Sequence, residues 1–185
     1  MTDLVESLSK VILRASEELL RKTGTYPRPL VHILAEDMDQ PYVGFITCRP
    51  FYRGADAATA LANLGLFPSV LMATRLVVAW EDCDLRTALE LPGEPFANGL
   101  VILDAGFEGH TLNWHPFDIE VGEVSQHGIP LVIPHWGTPA RVEDVQLLAP
   151  IAALLETWRE FRSDDIQETA IGLQEAGYEF NMIQR

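Results

Sequence analysis

Leu4, Leu8, Val11, Ile12, Ala15 and Leu19 recur three and four residues apart near the start of the chain, with Glu6, Glu17 and Glu18 set between them. That spacing predicts an amphipathic helix, opened by Asp3 with Glu6 three residues on in capping-box form and closed at Gly24. Tyr26-Pro27-Arg28-Pro29 then forces extended backbone. Residues 30–35 and 42–49 follow as two apolar runs joined by the acidic turn from Glu36 to Pro41, the pattern of an antiparallel hairpin. The second run is largely apolar on both sides, which marks an interior strand.

An alanine-rich helix is predicted over residues 55–64, stopped by Gly65, with a further turn beginning at Pro68 and carrying Val70, Leu71 and Met72. Residues 75–81 read as a third strand, and Asp82 or Asp84 as the cap of a short helix running through Leu89. A second hairpin is expected from residues 100–106 and 111–121 about Glu108-Gly109, with Pro116 as a break or an edge position. Residues 122–141 are rich in Gly and Pro and promise one strand, at 129–133; a long loop of this kind is where a site would hide. Leu147, Ile151, Leu154, Trp158 and Phe161 then share a helix face beginning near Pro150. Ser163 is read as the cap of a second helix, residues 164–176, ended by Gly177. Tyr178, Phe180 and Met182 alternate with Glu179 and Asn181 as a closing strand.

This order predicts an α+β fold: a mixed, mainly antiparallel sheet of five to seven strands, covered by an N-terminal helix, a middle helix and two C-terminal helices. No linker divides the 185 residues, so residues 1–185 are expected to form a single globular domain around one core.

Charge narrows the partners. Thirteen Lys and Arg against 27 Asp and Glu give a net charge of −14, with the cations scattered along the chain. Nucleic acid and anionic membranes both require clustered cations and are disfavoured, whereas a basic protein surface would be attracted. No stretch has the length of uninterrupted apolar residues that spans a bilayer. The acidic residues within the first segment do not fit a secretory leader, so the expected setting is cytoplasmic. Cys48 and Cys83 lack the spacing of a zinc or redox pair and read as reduced thiols.

Two strand-like runs end in the same acidic signature, Glu36-Asp37-Met38-Asp39 and Glu81-Asp82-Cys83-Asp84. Asp37, Asp39, Asp82 and Asp84 have the form used to hold Mg²⁺ or Mn²⁺, because hard cations take several carboxylate oxygens. Solvated turns and helix caps account for the same residues without a metal. If the runs converged, the chain would read as a divalent-metal-dependent hydrolase or transferase, with His115 or His135 as general base. His110 and His115 lie an odd number of residues apart on a strand and so face opposite sides. The fragments Trp114-His115-Pro116 and Pro134-His135-Trp136 set a ring beside each imidazole, to stack on a planar ligand or to cover the sheet edge. No Gly-x-Ser-x-Gly elbow, phosphate-binding Gly-rich loop or His-Glu-x-x-His motif occurs. A complete set of core signals without a catalytic constellation favours a non-catalytic protein-binding or assembly module, needing no cofactor and acting through a protein partner or self-association.

Overall fold

The structure, a computed structural model, describes residues 2–93, 97–124, 128, 130–160 and 165–183. Its elements run α1 (Thr2–Thr23), β1 (Leu30–Leu34), β2 (Tyr42–Thr47), α2 (Ala55–Ala62), a 3-10 turn (Asn63–Gly65), α3 (Leu66–Val70), β3 (Arg75–Glu81) and α4 (Asp82–Ala88). They continue with β4 (Gly99–Ala105), β5 (His110–Val124), β6 (Pro130–Trp136), β7 (Ala140–Glu143), α5 (Ala149–Glu160), α6 (Ile166–Glu175) and β8 (Glu179–Met182).

The strands form one sheet in the order β6-β5-β4-β3-β1-β2-β8, with β7 also paired to β5. Every pairing among the described residues is antiparallel, so the α+β class holds and the sheet is not mixed. It has eight strands against the five to seven expected; β6 answers to the strand read at 129–133, and β7 is the one not foreseen. Nor does Pro116 break β5. Gly99 pairs with Pro116 and Phe117 with Trp136, so proline stands where β5 changes partner from β4 to β6 and its missing N–H disrupts neither ladder.

Period-two alternation decides the layers. Leu76, Val78, Trp80, Val101 and Leu103 pack beneath α2, α3, α5 and α6, whereas Val77, Ala79, Leu100 and Ile102 pack beneath Val5 and Ile12 of α1. Both sheet faces are therefore covered, which is why β3 and β4 are apolar on either side.

The helix ends follow local chemistry. Gly24 has φ 66° and its N–H donates to the Leu20 carbonyl at 2.8 Å, closing α1 as expected. Asp165 caps α6 by accepting the Glu168 N–H at 2.7 Å. The expected caps at Asp3 and Ser163, and the face residue Phe161, lie outside the residues whose side chains are described. Among the described residues no helix is long and apolar enough to cross a membrane.

Candidate functional site

Register keeps the two acidic runs apart. Leu34 pairs with Arg75 and Leu30 with Ala79, so the end of β1 lies beside the start of β3. Glu36 to Asp39 follow β1 and Glu81 to Asp84 close β3, which puts the runs at opposite ends of the sheet, roughly 20 Å apart at a strand rise of about 3.4 Å per residue. Asp37 and Asp39 therefore do not meet Asp82 and Asp84. Among the described residues no three His, Cys, Asp or Glu side chains are grouped so as to share a metal ion.

Each run has its own local work. Glu81, in extended conformation as the last residue of β3, is the N-cap of α4 in place of Asp82 or Asp84. Its carboxylate accepts the Asp84 N–H at 2.5 Å and the Gly99 N–H at 2.9 Å, tying the helix start to β4. Burial pushes the Glu81 carboxyl up, and these backbone donors oppose that shift. Asp82 accepts from Arg86 Nε at 2.7 Å and from Trp80 Nε1 at 3.2 Å. At the other end Arg75 holds Asp104 through two hydrogen bonds, 2.6 and 2.7 Å, and Glu36 through a third of 3.1 Å.

The Arg75 clamp supports a prediction. Its side chain is 28 % exposed and that of Asp104 16 %, so solvent screens the pair only in part. Arg75→Met is expected to cost about 2 kcal/mol, below the full price of breaking a buried pair, because both carboxylates lose their cation. A double-mutant cycle with Asp104→Asn, followed by urea denaturation, should give a coupling above about 1 kcal/mol. Additive effects would show that the clamp contributes nothing beyond its separate side chains.

The histidines are also dispersed. His115 pairs with Leu100, which itself pairs with Glu81, so it stands about 10 Å from Glu81 at the usual strand spacing. Burial lowers the pKa of His115. His135 is exposed on β6, with Nε2 2.8 Å from a Glu120 carboxylate oxygen, and is registered against Asp118. Residues 115 and 118 face opposite sides of β5, so the two imidazoles do not converge. Trp136 donates Nε1–H to Glu17 of α1 at 3.1 Å and meets Phe117 edge-on at 5.1 Å, so it covers the sheet. His110 donates from Nε2 to the Val145 carbonyl at 2.9 Å, and its backbone N–H donates to Asp144 Oδ1 at 3.0 Å.

What the fold does assemble is a groove at the Glu36 end. A cavity of about 800 Å³ opens between Met38 of the β1–β2 turn, Met72 after α3, Phe107 of the β4–β5 turn, Ile166 of α6 and the floor residue Trp158. Its rim is apolar and open to solvent: Met72 is 83 % exposed, Phe107 49 %, Ile166 46 % and Met38 43 %. Phe107 stacks on Trp158 at 5.0 Å, and the Trp158 indole N–H donates to the Ala73 carbonyl at 3.0 Å.

Met72 is held out by its backbone. The Met72 N–H donates to Ser69 O at 3.0 Å and the Ala73 N–H to Pro68 O at 2.9 Å, the paired bonds of a Schellman ending. This ending needs a left-handed residue, and Met72 adopts φ 54° where glycine is usual. The cost is roughly 1–2 kcal/mol, accepted at a residue whose side chain is almost wholly in solvent.

Through Thr74 and Phe107 the groove runs into a second, open one of about 610 Å³, lined by Glu36, Asp104, Glu108, Glu143 and Asp144 around Arg75. Sequence reasoning placed Met72 in a turn but gave it no role, and passed over Phe107. The one local signal was a helix ending on Leu71-Met72-Ala73 with neither Gly nor Asn to close it. Comparison of the chain with protein-family models, with curated proteins and with solved structures finds no match.

Proposed function

We propose that the chain is a protein-binding or assembly module whose contact surface is the groove between Met38, Met72, Phe107 and Ile166. The observation that carries this reading is Met72, a large apolar side chain fixed in solvent by a backbone conformation that glycine would adopt without strain. Methionine suits such a surface because its unbranched, polarizable chain adapts to varied partners. Contiguous exposed apolar rims of this kind mark interaction sites, whereas single exposed side chains such as Val11 need no explanation. The free thiols Cys48 and Cys83 fit a reducing compartment, so a cytoplasmic setting goes with the reading. A Mg²⁺- or Mn²⁺-dependent hydrolase or transferase would need the two acidic runs to meet, and their separation gives it no support.

Met72→Gly separates fold from function. Relief of the left-handed strain is expected to raise the unfolding free energy by about 1 kcal/mol, while partner capture weakens. Thermal melts measure the first effect. For the second, a photoreactive benzoylphenylalanine at position 72 should yield discrete crosslinked adducts in lysate of the source cells, and the same group at exposed Val11 of α1 should not. Adducts at twice the chain mass would indicate self-association. Equal, diffuse labelling from both positions would defeat the proposal.

A further inference from the structure

Resting on that reading, we infer that the groove takes a peptide segment that pairs a large apolar side chain with Lys or Arg a few residues away. The two grooves form one track, because Thr74 and Phe107 line both. Its first half is apolar, floored by Trp158 and rimmed by Met72, and so selects a side chain of leucine size or larger. Its second half has the opposite chemistry. Five carboxylates, Glu36, Asp104, Glu108, Glu143 and Asp144, face one guanidinium, Arg75, which already binds Glu36 and Asp104.

The carboxylates of Glu143 and Asp144 are more than two-thirds exposed. A cation from a partner can therefore reach them without displacing the Arg75 clamp. Arg141 approaches Glu143 only to 3.4 Å at the open surface, a pair that solvent leaves weak. Asp144 accepts the His110 backbone N–H at Oδ1 and lines the groove end.

Electrostatics disfavours most other occupants. An acidic peptide, a nucleic acid or an anionic lipid would meet both this local field and the net charge of −14. A second copy would be repelled by the same net charge, although Tyr52 and Arg53 do offer an exposed aromatic and basic pair at the far end of the sheet. A wholly apolar segment would leave the acidic half of the track unused. A segment that fills both halves gains burial from the first and association rate and register from the second.

The test is selection of random dodecapeptides displayed on phage against the full chain, followed by affinity measurement on the synthetic winners. The expected winners carry Phe, Trp, Leu or Met in the same short segment as Lys or Arg, so that one extended peptide reaches both halves of the track. Their affinity should fall at least tenfold on Glu108→Lys with Glu143→Lys, at least tenfold on Met72→Gly with Phe107→Ser, and several-fold between low and high salt. Circular dichroism melts of both variants keep unfolding from being mistaken for lost binding. Winners that depend on Met72 and Phe107 but carry no cation, and bind independently of salt, overturn this inference and leave the binding-module reading standing. Winners indifferent to Met72 and Phe107 overturn both. Concentration-dependent self-association, abolished by Tyr52→Ser with Arg53→Ser, would assign the groove to a second copy and overturn the inference in favour of head-to-tail assembly.

Discussion

Replacing Trp158 by alanine is expected to lower the unfolding free energy by about 4 kcal/mol, the range for emptying a buried aromatic site. Trp158 is 1 % exposed and belongs to the larger core cluster with Leu154, Phe67 and Val70. Its place depends on a close approach of chains: a Cβ on Gly65 would stand 2.9 Å from the Trp158 backbone nitrogen, so only glycine lets the 3-10 turn after α2 meet α5 there. Losing the indole also strips the Ala73 carbonyl of its donor, about 1 kcal/mol of the total. Ala73 follows Met72, and its N–H makes the bond to Pro68 that closes α3. The substitution therefore loosens the turn that sets out Met72 and removes the platform under Phe107. Trp158→Phe keeps most of the apolar volume and forfeits the hydrogen bond, for about 1–2 kcal/mol. Urea denaturation followed by circular dichroism measures both variants. A loss below about 1.5 kcal/mol for the alanine variant would mean that α5 is not seated as described.

Trp80→Ala provides the contrast. Trp80 is as buried as Trp158 and lies in the same cluster, but it stands beside Glu81 at the end of the sheet away from the groove. It should cost comparable stability without touching Met72 or Phe107. Groove binding, measured well below the melting temperature of each variant, should then be lost only with Trp158.

Local periodicity made α1, β1, β2 and β3 legible, because each buries a face whose spacing is written in a few consecutive residues. Residues 122–141 were obscured by their own prolines. Pro130 and Pro134 sit in β6, and the sheet order puts β6 at an edge, where a strand spares the missing N–H. The separation of the acidic runs had no local signature. The two runs look alike in sequence, and only the antiparallel pairing of β1 with β3 sends one to each end of the sheet. The groove was hidden for a related reason: Met38, Met72, Phe107, Trp158 and Ile166 come from five segments that meet only through long-range packing. Arg75 and Asp104 likewise carry no local signal, and Glu36 stands out only as part of its acidic run, until β1, β3 and β4 are set side by side.

Acid should destabilise this chain through His32, by about 3 kcal/mol between pH 7 and pH 4. His32 faces the α1 side of β1, is 6 % exposed, and lies against the rings of Phe45 at 5.2 Å and Tyr42 at 5.8 Å. Its Nδ1 is 2.8 Å from the Tyr42 hydroxyl, and its Nε2 is buried with no hydrogen-bond partner among the described residues. Neither tautomer satisfies both nitrogens, and a charged ring would have to carry a second unmatched donor in an apolar layer. Burial accordingly pushes its pKa down to about 4 from an ordinary 6.5, while the Tyr42 hydroxyl, pushed up to about 12, stays protonated throughout. The sign follows: the folded chain holds His32 neutral and the unfolded chain does not. Its contribution is therefore complete above pH 6.5 and drains away as pH falls towards 4. His32→Phe keeps an aromatic ring between Phe45 and Tyr42 and removes the titration. Carboxylates such as Asp56, held well below the usual range by Arg49 beside it, are common to both proteins and cancel in the comparison. Urea denaturation at pH 7, 6, 5 and 4 should show the gap between variant and parent widening in favour of the variant by about 3 kcal/mol. Parallel curves would mean that water or a rotated ring already solvates Nε2. Because His32 lies across the sheet from the groove, this loss should reach binding only through global unfolding, leaving affinity per folded molecule unchanged down to pH 5.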